Sequence, residues 1–199
     1  MTQHIDSYIS LISPWSYLGG LRLTDMIAKT GASVTLLPVQ MPALLENTGG
    51  VPFAKRSSQR LAYRMQELAR WRDKLGVPIR LEPAHFPTDE TKAAGAVIAA
   101  GNQGSDALAL AVRLGKAIWE DDQNIAEDEV LAEAAHDVGL DANALLDAAT
   151  GPAIAERWAA NTEQAIQVGV FGVPTYVLGA DLYWGQDRLD FVEHALTEG

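Results

Sequence analysis

The chain of 199 residues contains no cysteine. That absence excludes disulfides, thiolate metal ligands, a cysteine nucleophile and any Cys-x-x-Cys redox pair. Positive charge is scarce: 15 Lys and Arg stand against 26 Asp and Glu, a formal net charge of -11. Such a surface repels phosphate backbones, so no nucleic-acid partner is expected. No stretch approaches the ~18 uninterrupted apolar residues that span a bilayer, and no membrane partner is expected. The opening Met-Thr-Gln-His-Ile-Asp has no basic patch followed by an apolar run, which leads us to expect a cytoplasmic protein. The four histidines, His4, His85, His136 and His194, show neither an HExxH pair nor any metal-ligand spacing, so no metal is expected. A Gly-x-Ser-x-Gly elbow, a glycine-rich phosphate loop and internal repeats are also missing.

What is present is 48% hydrophobic residues, enough to bury a sizeable core. Residues 5–11 are β-branched and aromatic in rough alternation and predict a strand; Pro14 stops it and opens a helix over 14–29. Gly31 ends that helix, and 34–39 follow as a short apolar strand. Between about 44 and 168 no strand is predicted. Helices are expected over 57–74, with Leu61, Met65, Leu68 and Trp71 at helical spacing, then over 92–100, 106–119, 127–138, 143–149 and 152–167. At the end, 174–178 and 182–184 flank Gly179-Ala180-Asp181 as a hairpin, and a helix closes the chain over 189–196. The order βαβ, helices, ββα predicts an α/β sheet domain, 1–43 with 168–199, split by an all-helical insertion at 44–167.

Two places stand out chemically. Ser13-Pro14-Trp15-Ser16 follows a strand and opens a helix. Ser13 there reads either as an N-cap or as part of an anion-binding helix start, which would favour a thiolate brought by a ligand. Val173-Pro174 sits at the head of the third strand. A cis bond would leave the Val173 backbone free for an extended ligand, whereas a trans proline would simply begin an edge strand.

Ser13-Pro14-Trp15-Ser16 at the first helix, with Val173-Pro174 before the third strand, resembles the thioredoxin fold, with serines where its redox members carry two cysteines. Ile12-Ser13-Pro14-Trp15-Ser16-Tyr17-Leu18-Gly19, Val170-Phe171-Gly172-Val173-Pro174-Thr175, Tyr183-Trp184-Gly185-Gln186-Asp187-Arg188-Leu189 and the stretch from Tyr63 to Trp71 together resemble the 2-hydroxychromene-2-carboxylate isomerase family, kin to the kappa-class glutathione transferases. The resemblance spans essentially the whole chain. It implies a thioredoxin-like domain interrupted by the helical insertion, glutathione as cofactor, a small aromatic substrate and a homodimer. By position it makes Ser13 the catalytic serine that favours the glutathione thiolate, and Val173 the backbone partner of the cysteinyl unit. Gln186 and Asp187 then match the pair at the γ-glutamyl end, and Asn47 a loop residue of the glutathione site. The family's lysine three residues before Tyr63 is replaced by Arg60, leaving Arg60 or Lys55 for the glycyl carboxylate. Tyr17, Phe53, Phe86 and Trp184 are candidates for an apolar substrate wall. The implied reaction is glutathione-dependent cis–trans isomerisation, with a conjugating kappa-like transferase or a non-catalytic thioredoxin-fold binding protein as alternatives.

Overall fold

The computed structural model describes residues 3–104 and 106–198; positions 1, 2 and 199 of the expected split sheet unit lie outside the described residues. The elements are β1 (His4–Ile9), α1 (Pro14–Thr30), β2 (Ser33–Pro38), α2 (Met41–Thr48), α3 (Ser58–Leu75), α4 (Thr91–Asn102) and α5 (Ala107–Trp119). After these come α6 (Asp128–Asp137), α7 (Ala142–Ala149), α8 (Pro152–Gln167), β3 (Thr175–Leu178), β4 (Asp181–Trp184) and α9 (Leu189–Glu198). Short 3-10 turns occupy Phe53–Lys55 and Gln186–Arg188.

The four strands form one sheet in the order β2-β1-β3-β4. β1 and β2 are parallel and joined by the α1 crossover, while β3 runs antiparallel to β1 and β4 to β3. This is the α/β arrangement that the resemblance implies. The period of two along each strand decides which face each residue serves. Ile5 and Tyr176 meet Leu23 and Met26 of α1 and Leu189 and Val192 of α9 on one face. Tyr8, Leu37 and Val177 meet Leu44 of α2 and Ala165 of α8 on the other. A one-residue slip in the Ile5–Leu178 register would exchange these two sets, so the register is held by both cores at once.

The third hydrophobic cluster joins the ends of the chain to its middle. Ile9, Leu11 and Leu18 pack with Leu68 of α3, Val97 of α4, Leu114 and Trp119 of α5, and Leu131 and Leu145 beyond them. The helices between β2 and β3 therefore close over the N-terminal half of α1, the part that carries Ser13.

α3 and α5 start one residue after their expected positions because the residue read as a first turn serves as a cap, and α7 starts one residue before the expected 143, behind the Asp141 cap. Ser57 accepts from Arg60 N, Asp106 from Ala109 N and Asp141 from Ala144 N. β1 stops at Ile9 rather than at 11, since Leu11 N–H turns to the Glu90 carboxylate instead of a neighbouring strand. The hairpin turn shortens to Gly179-Ala180, because Asp181 pairs with Leu178. α2 was not anticipated: Pro42 sits in its first turn and Gly49, at φ 74, closes it.

Candidate active site

α1 begins at Pro14 with Ser13 as its N-cap, in extended backbone at φ -80 and ψ 121. Ser13 Oγ accepts from Ser16 N at 3.2 Å. A hydroxyl has one donor and two acceptor positions, and the cap uses only an acceptor. Among the described residues no protein acceptor takes the Ser13 O–H. No acid lies in the first turn to offset the positive end of the helix. The cap and the capacity to donate toward an anion thus coexist in one side chain. Ser16, at the other end of the motif, is buried, and its Oγ accepts from Ser10 N at 3.4 Å.

Gly19, one turn and a half further along α1, is where the separated motifs meet. A Cβ built on it would lie 2.3 Å from the Tyr176 hydroxyl, 3.2 Å from Gln186 Cβ and 3.3 Å from Pro174 Cγ. Only a residue without a side chain lets the helix sit against both the Val173–Pro174 turn and the Gln186 turn. Gly19→Ala is expected to cost about 1–3 kcal/mol through overpacking. A thermal melt checks this, and a variant as stable as the wild type would mean that the buried Tyr176 ring yields.

The Val173–Pro174 bond is cis. Pro174 C=O accepts from Gly185 N at 2.9 Å and Gly172 C=O from Thr175 Oγ1 at 2.7 Å. Among the described residues neither Val173 N–H nor Val173 C=O has a hydrogen-bond partner. Gln186 is buried, with its backbone carbonyl and its Oε1 both accepting from Arg22, the latter at 3.0 Å; Arg22 also pairs with Asp190 at 2.5 Å. Asp187 keeps its carboxylate half-exposed beside Arg188 at 3.3 Å. Gly185, at φ 109, leaves room for it: a Cβ there would be 2.4 Å from Asp187 Oδ1.

The other expected residues sit on α1, α2, α3, β4 and the segments ahead of α3 and α4. Asn47 belongs to the last turn of α2 rather than to a loop, because the helix continues to Thr48 and the Asn47 amide donates to Ala43 C=O at 2.9 Å. Arg60, in the first turn of α3, and Lys55 are exposed. Among the described residues no hydrogen bond or ion pair links Asn47 or Arg60 to Ser13, Val173, Gln186 or Asp187. Tyr17 is buried and donates its hydroxyl to Glu120 at 2.6 Å; burial first, then that carboxylate, pushes its ionisation far above the ordinary tyrosine range. Trp184 is exposed and stacks edge-on with Phe171, 4.7 Å between centroids. Phe53 and Phe86 form a T-shaped pair at 5.4 Å.

Sequence reasoning missed Glu90. Its carboxylate, just ahead of α4, accepts from Ser10 Oγ at 2.9 Å to each oxygen, from Leu11 N at 2.5 Å and from Ile12 N at 3.3 Å. It thereby fixes the three residues that lead into Ser13. Burial raises its pKa against the opposing pull of these donors. An acid before an alanine-rich helix looks like an ordinary first-turn residue, so only the tertiary contact reveals this one.

The DsbA-like thioredoxin domain model matches residues 4–197. The chain is 33% identical to 2-hydroxychromene-2-carboxylate isomerase of Sphingobium xenophagum, over 100% of both chains. It is 25% identical to glutathione S-transferase kappa 1 of Homo sapiens, covering 98% of this chain and 91% of that one. A solved 2-hydroxychromene-2-carboxylate isomerase superposes with a TM-score of 0.83 at 26% identity, over 98% of this chain and 94% of the other.

Proposed function

Since the chain belongs to the DsbA-like thioredoxin family and, within it, groups with the 2-hydroxychromene-2-carboxylate isomerases, we propose that it is a glutathione-dependent cis–trans isomerase. Its substrate is 2-hydroxychromene-2-carboxylate or a related aromatic acid, and its product the trans-o-hydroxybenzylidenepyruvate type. The observation that carries this proposal is the unclaimed O–H of Ser13 at the start of α1, whose first turn carries no acid of its own.

The residues present fit a thiol tripeptide. Val173 offers an unpaired N–H and C=O, as an extended peptide unit requires. Asp187 offers a partly exposed carboxylate to an α-ammonium, a charge-assisted contact. Gln186, locked by Arg22, holds the turn on which Asp187 stands. Asn47 with Arg60 or Lys55 is left for the glycyl end. Glutathione held by these residues would supply a thiolate for reversible addition to a conjugated alkene, chemistry that isomerises the double bond without consuming the thiol or oxidising anything.

Ser13 donates to the sulfur and so lowers the cost of its charge, a preorganised electrostatic contribution. The helix start adds to it. The Ser10–Ile12 segment, held by Glu90, keeps the hydroxyl in place, and the residues need only activate sulfur and hold the two reactants together.

Calorimetric titration with reduced glutathione, run beside a turnover assay, tests the proposal. Binding, with isomerised product formed and glutathione undiminished, is the expected result. Stoichiometric loss of glutathione would instead establish a kappa-like transferase, the outcome favoured by the likeness to the human enzyme. No binding at millimolar glutathione would leave Ser13 as a helix cap only. Among the described residues no helix is long and apolar enough to cross a membrane.

A further inference from the structure

Arg64 of α3 lies in a box of aromatic rings. Its guanidinium carbon is 5.2 Å from the Phe53 centroid, 5.3 Å from Phe86 and 5.9 Å from Trp119. The rings brace one another, Phe53 edge-on to Phe86 and Phe86 tilted on Trp119 at 5.1 Å, with Trp119 fully buried. Ring faces attract a cation, yet they offer the five guanidinium N–H donors no oxygen or nitrogen acceptor. The one polar contact among the described residues is to Met65 Sδ at 3.9 Å, a weak acceptor. Among the described residues no carboxylate forms an ion pair with Arg64, and none of its nitrogens is sealed from solvent without a partner.

The surroundings reinforce this lack of a partner. Burial, and then Arg56, lower the Arg64 pKa to about 10, which leaves it cationic at neutral pH. Residues 47–66 carry Lys55, Arg56, Arg60 and Arg64 and no acid, in a chain of net charge -11. A half-buried guanidinium walled by rings suits a flat organic anion. The carboxylate takes the fork of donors, and an attached aryl group takes the ring edges.

Two tethers bring the box toward the start of α1. Phe86 precedes by four residues Glu90, which grips Ser10 to Ile12, and four residues reach at most about 14 Å. Trp119 adjoins Glu120, which accepts the Tyr17 hydroxyl.

We propose that Arg64, with Phe53 and Phe86, is the subsite that binds the carboxylate of the aryl-substituted acid on which the enzyme acts. This rests on the isomerase proposal for the identity of the acid. The subsite is separate from the cations that would meet glutathione, because the tripeptide's glycyl arm has no ring to place against Phe53 and Phe86.

The test uses trans-cinnamate as probe, with trans-cinnamamide as its uncharged counterpart. Calorimetry without glutathione compares wild type, Arg64→Met and Arg64→Lys. Wild type is expected to bind cinnamate at least about tenfold more tightly than cinnamamide. Arg64→Met should lose that preference and Arg64→Lys keep part of it, while all three bind reduced glutathione alike. Cinnamate binding equal in wild type and Arg64→Met would overturn the assignment, as would no cinnamate binding by wild type. Loss of glutathione affinity alone in Arg64→Met would overturn it too, giving the box to the glycyl carboxylate. If Arg64→Met fails to fold, Arg64→Lys and the wild-type preference for cinnamate decide. Failure of wild type to bind glutathione would count against the isomerase proposal and leave the cinnamate comparison readable.

Discussion

Ser13→Ala is expected to lower kcat by about 10²–10³-fold, the usual cost of removing one preorganised donor from a developing or resident anion. Bound glutathione should then keep its thiol protonated to higher pH, seen as loss of the ultraviolet thiolate absorbance at neutral pH. Alanine also removes the cap bond to Ser16 N, which costs about 1 kcal/mol, whereas glycine at an N-cap costs only a few tenths. Ser13→Gly therefore separates the two roles of the side chain. It should match Ser13→Ala in turnover and stay close to wild type in stability. Ser13→Thr keeps both the hydroxyl and the cap and should retain part of the activity. Wild-type turnover by Ser13→Gly would mean that the hydroxyl does no chemistry and that α1 needed only its cap.

Ser13 was legible because its signal is local: a strand, a serine, a proline and a helix follow one another within a few residues, and the helix start dictates what its first side chains can bind. The strands were legible for the same reason, since alternation separates Ile5, which meets α1 and α9, from Tyr8, which meets α2 and α8 on the other face. The contact at Gly19 was half legible. Its motif could be read, but the reason for the glycine, the hydroxyl of Tyr176 lying where a Cβ would go, spans most of the chain. α2 escaped notice because eight residues containing Pro42 have too short a period to announce a helix. Its consequence is that Asn47 projects from a helical turn and not from a loop. Arg64 carried a readable hint, four cations without an acid between 47 and 66, yet only the fold shows that rings and not carboxylates surround it.

Glu90 is the residue whose removal should disturb the site most from a distance. Glu90→Ala strips the acceptor from Ser10 Oγ, Leu11 N and Ile12 N together. Unmatched buried donors cost about 1–3 kcal/mol each where water cannot replace the partner, so a loss of about 3 kcal/mol or more is expected in urea denaturation, with turnover falling as the Ser13 approach loosens. Glu90→Gln should behave differently. Its amide oxygen can serve Leu11 and Ile12, and its NH2 can donate to Ser10 Oγ, so the segment stays in place without a buried charge.

The comparison of wild type with Glu90→Gln then depends on pH in a fixed direction. Because the folded-state pKa of Glu90 is raised, the folded protein holds that proton more tightly than the unfolded chain does. The favourable contribution is complete below the unfolded value of about 4.3 and is lost as pH rises through the folded one. The stability of Glu90→Gln relative to wild type should therefore increase from pH 4 toward pH 8. A difference that stays flat, or that runs the other way, would mean that the three donors outweigh burial and hold Glu90 ionised. The Ser13 segment would then rest on a permanent carboxylate rather than on one whose charge burial resists.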